Sequence, residues 1–255
     1  MTKFAFYPAD KNNFFETYAA EFKYDQDQPT PWKPVQKDLE DSLVCLITTS
    51  GMRLKSDKPF QINKLSGSSE FKEFTVHATE NELAVDMTNY HSAEAMKDIN
   101  VLIPVEHIIE MVERKNISKI HETIYSFCGF CKDIEQLKQS TKRVIRKLIE
   151  AEVDLILIST ASHLCNVTAC IIARELEKSG ISCTTIVTVK EIAHEIKVPR
   201  AVFINFPFGM TFGRAFSKSL QKSIAKDMLD SFVTIDKPGK IIELPYKWDG
   251  TAEVV

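Results

Sequence analysis

Two short stretches of the 255-residue chain carry side chains able to do covalent chemistry at neutral pH: Ser162-His163-Leu164-Cys165 and Cys128-Gly129-Phe130-Cys131. The first lies where a strand pattern becomes a helix pattern. Residues 153–158 form a nearly unbroken apolar run, as in a central parallel strand covered on both faces. Residues 159–162 are polar, and Cys165, Ala169, Ile172 and Leu176 then follow a helical stripe, with Asn166 the expected N-cap and Gly180 the stop. At a helix start the unsatisfied N–H groups and the dipole favour an anion, which would lower the thiol pKa of Cys165 and make it a nucleophile. The competing reading is a small, buried, inert thiol. His163, next in the same turn, is either a base for that thiol or an ordinary hydrogen-bonding loop residue.

Cys128-x-x-Cys131 has the spacing of a redox dithiol and also of half a zinc site. A zinc site would need two more ligands from His163, Cys165 and Cys170, which do not repeat the spacing. A redox or catalytic pair ranks first, zinc at Cys128 and Cys131 second, and two unrelated core cysteines third.

Positioning these groups requires a sheet. Residues 43–49 read as the first core strand, with Thr48 and Thr49 at its end and Gly51 in the turn, a place where hydroxyls and N–H groups can meet a substrate. Residues 55–79 are a long loop with one short strand near 71–76. Residues 98–104 are a strand or turn that feeds a helix over 105–115, and 117–127 are a strand followed by a helix ending at Glu150. Further strands are expected at 183–189 and 201–206, with a last helix at 215–232. The fold class expected is α/β, a mostly parallel sheet with helices on both faces in Rossmann- or flavodoxin-like layers. An aromatic- and proline-rich arm occupies 1–40, with a helix near 13–23; the main domain spans 41–235 and an extended tail 236–255. In such sheets ligands bind beyond the carboxyl ends of the strands, so Thr48, Thr49, Cys128, Cys131, Ser162, Cys165 and the loop with Asn205 are expected on one rim.

A net charge of −3 gives no reason to expect nucleic acid, and no apolar run is long enough to span a bilayer. A cytoplasmic protein with six reduced cysteines is the expectation. No flavin, nicotinamide or Walker fingerprint is present, so no bound cofactor is expected.

Several segments in order resemble one family. Pro31-Trp32-Lys33-Pro34-Val35, Leu46-Ile47-Thr48-Thr49-Ser50-Gly51, His91 and the run Asp98-Ile99-Asn100-Val101-Leu102-Ile103-Pro104 follow the pattern of the glycine/sarcosine/betaine/D-proline reductase selenoprotein B family. So do Tyr125-Ser126-Phe127-Cys128-Gly129, Ser162-x-x-Cys165, Pro199-Arg200-Ala201-Val202-Phe203 and Phe206-Pro207-Phe208-Gly209. The resemblance is strongest to the short D-proline-reductase-like members and implies a U-x-x-C motif between a strand and a helix. Cys165 falls on its second position and Ser162 on that of selenocysteine. A serine cannot form the selenenylsulfide of that cycle. Either Cys165 attacks and another thiol resolves it, or the reductase chemistry is lost; Cys128 and Cys131, where relatives carry Phe-Met-Gly, would be the relocated partner.

The function expected is a thiol-dependent reductase or reductive-cleavage enzyme acting on a small molecule. Catalytic roles fall to Cys165, Ser162, Cys128 and Cys131, with Thr48, Thr49, Gly51, His91, His163 and Asn205 around the substrate. Electrons would come from an external thiol or dithiol, such as a thioredoxin-like donor. The resemblance also implies a partner subunit carrying a pyruvoyl group, and a homo-oligomer is expected. The alternatives are a non-catalytic accessory subunit of a reductase complex, and a racemase-like enzyme using Cys128 and Cys165 as opposed bases.

Overall fold

A computed structural model describes residues 22–25, 27–86, 90 and 92–248. The strands are β1 (Leu43–Thr48), β2 (Met52–Leu54), β3 (Phe71–Thr75) and β4 (Leu83–Val85), followed by helix α1 (Val105–Glu113), β5 (Lys119–Ile120) and β6 (Thr123–Phe127). Then come α2 (Ile134–Glu150), β7 (Leu155–Ser159), α3 (His163–Lys178), β8 (Ser182–Val187), α4 (Lys190–Glu195), β9 (Arg200–Phe203), α5 (Lys218–Thr234) and β10 (Lys240–Glu243).

The main sheet runs β10-β9-β8-β7-β1-β6-β3, with β5 also paired to β1. All pairings are parallel except β3 on β6, so the expected α/β class is the one observed. β1 is central because both its faces are apolar. Val44 and Leu46 pack with α1 and α5 residues such as Ile108, Met111, Ile224 and Met228. Cys45 and Ile47 pack with Leu137 and Val144 of α2 and Ile172 and Leu176 of α3. The chain places β6 on one side of β1 and then crosses to put β7 on the other. That reversal is a switch point of the sheet, at the carboxyl ends of β1, β6 and β7.

The strand expected over 117–127 is two strands, because His121 and Glu122 interrupt it: His121 N–H donates to Val44 O while Glu122 O accepts from Val76 N–H. Residues 98–104 hold a 3₁₀ turn, Ile99–Val101, capped by the Asp98 carboxylate, and no strand. Residues 52–85 contain a small antiparallel pair, β2 with β4, that lacks a sequence period strong enough to announce it.

The described part of the arm is held by buried charge. Glu177 of α3 accepts from Lys33 N–H, from Cys183 N–H at 3.0 Å and from Arg200 Nη1 at 2.9 Å. The Arg200 guanidinium sits 4.2 Å from the ring of Trp32. Arg174, fully buried, donates to Tyr24 Oη and Pro29 O, and also to the carbonyls of Ile196 and Lys197 after α4. Among the described residues no helix is long and apolar enough to cross a membrane.

Candidate active site at the carboxyl rim of the sheet

The carboxyl rim holds a chain of buried sulfur and hydroxyl groups. Helix α3 starts four residues earlier than the expected cap implies, because Ser162 (φ −152°, ψ 176°) and not Asn166 is its N-cap. Cys165 therefore occupies the first turn. Ser162 Oγ donates to Cys165 Sγ at 3.0 Å, and Cys165 Sγ donates to Thr49 O at 2.9 Å. Asn166, inside the helix and buried, ties that turn to the loop after β8: its Nδ2 donates to Ser162 O at 2.7 Å, and its Oδ1 accepts from Thr188 N–H at 2.9 Å. Thr49 continues β1 by donating its N–H to Ser159 O at 3.0 Å. The next turn reverses at Gly51, whose φ of 70° suits glycine.

From the other side of β1, β6 delivers Cys128 and Gly129. Gly129 is packed so closely that a Cβ there would lie 2.4 Å from Cys165 Sγ and 2.2 Å from Thr49 O. Its carbonyl accepts from Thr168 Oγ1 of α3 at 3.2 Å. Burial, the largest influence, raises the Cys128 thiol pKa, and negative charge on Cys165 or Cys131 would raise it further. Thr49, Cys128, Ser162 and Cys165 meet at this rim, whereas Cys131, which donates to Asp133 O at 3.2 Å, packs in the cluster on the opposite face of the sheet. Thr48 lies beside them, donating to Ser50 Oγ at 2.9 Å.

The predicted acidity of Cys165 is not found. Its thiol is fully buried, and desolvation, the largest influence, raises its pKa despite the Ser162 hydrogen bond and the helix start. Burial likewise pushes Cys128 up to about 12 and Cys131 up to about 11. All six cysteines are buried. A resting pocket of neutral thiols is what low dielectric favours.

His163 is no ready base either. Its ring packs on Phe208, with centroids 5.4 Å apart, and burial lowers its pKa to about 4. The sign of the linkage is fixed by that direction. Between pH 6.5 and 4 the unfolded chain binds the proton that the folded one refuses, so stability present above pH 6.5 is lost as pH falls. A denaturation series from pH 7 to 4 should show His163→Phe losing less stability on acidification than the native chain, by about 2 kcal/mol. Equal losses would show that His163 titrates normally.

Asn205 is solvent-exposed; its loop reaches the site through Phe208, which packs on His163, and through Gly209 N–H, which donates to Ala161 O at 2.7 Å. His91 lies outside the described residues. Among the described residues, no three His, Cys, Asp or Glu side chains are grouped to hold a metal, which leaves the zinc alternative at Cys128 and Cys131 without further ligands.

Sequence reasoning missed three contributors. Tyr90 is buried and donates from Oη to Ser50 O at 2.6 Å. Ser126 and Ser159 flank Thr48 in register on the two neighbouring strands, so three hydroxyls lie in a row on one face. Among the described residues, Ser126 Oγ and Ser159 Oγ are buried without a hydrogen-bond partner. Serines on otherwise apolar strands were the available signal.

The chain matches the glycine/sarcosine/betaine reductase selenoprotein B family over residues 12–161. It belongs to that family. It is 30% identical over 221 residues to D-proline reductase subunit gamma of Acetoanaerobium sticklandii, covering 86% of this chain and 90% of that one. It is 24% identical over 200 residues to glycine reductase complex component B subunit gamma of Symbiobacterium thermophilum, covering 76% of this chain and 46% of the relative. For sarcosine reductase complex component B subunit beta of Peptoclostridium acidaminophilum the figures are 22% over 201 residues, with 76% and 46% covered. The chain therefore spans less than half of these glycine and sarcosine reductase subunits. No solved structure matches it. Members of the selenoprotein B family are subunits of reductase complexes, and this chain has a reductase-related role.

Proposed function

We propose that this chain is a thiol-dependent reductase subunit in which Cys165 and Cys128 form the redox couple and Cys131 is the thiol nearest the surface. The observation that carries the reading is the meeting of the Ser162-x-x-Cys165 turn and the Cys128-Gly129 segment across β1, packed so closely that a Cβ on Gly129 would lie 2.4 Å from Cys165 Sγ. In the productive half-reaction a substrate bond X–Y is cleaved to X–H and Y–H. The two thiols supply two electrons and two protons and become the Cys128–Cys165 disulfide. In the return half-reaction an external dithiol is oxidised to its own disulfide and the two protein thiols are restored. Ser162 hydrogen-bonds the reacting sulfur; Thr48, Thr49 and Ser50 face the substrate. A pyruvoyl group, where the reaction needs one, belongs to a partner subunit. The described residues carry the sulfur half of the chemistry. The cell compartment that suits a reduced dithiol is the cytoplasm.

D-Proline is the first substrate to try, since it appears in the name of a relative that this chain matches over most of its length. The test is dithiol oxidation dependent on D-proline, glycine, sarcosine or betaine by the chain reconstituted with its neighbouring subunit. Turnover abolished by omitting this chain supports the proposal. A second reading, a non-catalytic accessory subunit, is favoured by the raised thiol pKa values and by a serine at position 162. Full turnover with Cys165 replaced would establish it.

A further inference from the structure

Tyr90 does something for the sulfur pair that its place in the sequence does not suggest. We propose that Tyr90 is the positioning and shielding residue of the Cys128 and Cys165 thiols, clamped on Ser50 O and keeping the pair out of reach of external reagents until it is displaced. This rests on the thiol reading of the site given above.

Three observations support it. Tyr90 is only 7% exposed and belongs to the same packed cluster as Cys128 and Cys165. Its Oη donates to Ser50 O at 2.6 Å, while the adjoining Thr49 O accepts from Cys165 Sγ, so one two-residue segment of backbone carries both the phenol and the thiol. Burial, the largest influence, raises the phenol's pKa, and charge on Cys165 or Cys128 would raise it further. At the ends of the same strands lie the hydroxyls of Thr48, Ser126 and Ser159 in register, of which the two serines lack a protein partner. A buried hydroxyl without a hydrogen-bond partner is costly, and displacing Tyr90 would open these to the oxygen atoms of a small molecule.

Three of the four remaining cysteines provide an internal control. Cys45, Cys170 and Cys183 are equally buried but lie in the cluster on the opposite face of the sheet. They react only when the whole domain opens, whereas Cys128 and Cys165 would respond to a local change. The experiment is native-state alkylation of the full chain with iodoacetamide, read cysteine by cysteine through peptide mass spectrometry, in the native chain and in Tyr90→Phe. Loss of one hydrogen bond should speed alkylation of Cys128 and Cys165 by roughly fivefold to tenfold, with Cys45, Cys170 and Cys183 unchanged. Unchanged rates at Cys128 and Cys165, or an equal acceleration at every cysteine, would overturn the assignment. Alkylation needs no substrate and no turnover, so its failure removes the role of Tyr90 alone. A failure of the redox reading shows instead as a missing disulfide.

Discussion

Replacing Cys165 by serine should lower substrate-dependent dithiol oxidation on the order of a thousandfold or more, with the fold intact. Serine is nearly isosteric with cysteine. Its hydroxyl can still donate to Thr49 O and receive the Ser162 hydrogen bond, so the first turn of α3 keeps its geometry. What disappears is the sulfur, and an alcohol cannot become half of a disulfide. Cys128→Ser should cost a similar factor, because a couple needs both members. Cys45→Ser, on the other face of the sheet, should leave turnover unchanged and serves as the control. The measurement is kcat with a saturating dithiol, alongside a thermal melt to confirm folding. A Cys165→Ser chain that retains full turnover would assign the subunit an accessory role.

The largest stability effect should come from the other end of α3. Glu177→Ala leaves the Arg200 guanidinium in a site where both side chains of the pair are fully shielded from solvent. Arg200 would retain Cys183 O at 2.9 Å and the Trp32 ring, but no counter-charge. Lys33 N–H and Cys183 N–H would lose their acceptor at the same time. Breaking one partner of such a pair costs about 3–5 kcal/mol, and for a domain of this size each kcal/mol lowers Tm by roughly 2–4 °C. Glu177→Gln, which keeps one acceptor oxygen for Arg200 and Cys183 N–H but loses the counter-charge and the acceptor of Lys33 N–H, should cost less than Glu177→Ala yet remain clearly destabilising. Equal melting temperatures for Glu177→Ala and the native chain would mean that water reaches Arg200 and that the arm is not fastened there.

Where the sequence was legible, it was because one physical rule dominated. The apolar runs of β1 and β7 could only be central strands. A central parallel strand must end at a rim, so Thr48, Thr49 and Ser162-x-x-Cys165 were expected together before the sheet order was known. Where it was not legible, two rules competed. Cys165 sits at a helix start, which favours thiolate, and in a dry core, which favours thiol, and only the packing of Gly129 and Thr49 on the sulfur shows that burial wins. Ser162 read as a departure from a redox motif, yet it caps α3 as well. Arg174 and Arg200 look like surface cations in any composition count; their burial depends on aromatic and carbonyl partners supplied by the arm more than 140 residues away. Tyr90 and the β2–β4 pair lie in a stretch without hydrophobic period, so their placement comes from tertiary contacts alone. His163 was adjacent to the thiol in sequence, but the helix turns its ring toward Phe208.

The central claim is that two sulfurs from opposite sides of β1 act as one couple, and disulfide mapping addresses it most directly. The fully reduced chain would be oxidised with a stoichiometric amount of diamide under native conditions, blocked with iodoacetamide, digested without reduction and mapped by mass spectrometry. A Cys128–Cys165 linkage that forms first and is restored to thiols by dithiothreitol is the result expected. A chain in which Cys165 remains a free thiol while Cys128 pairs only with Cys131, or in which no intramolecular disulfide forms, would contradict it.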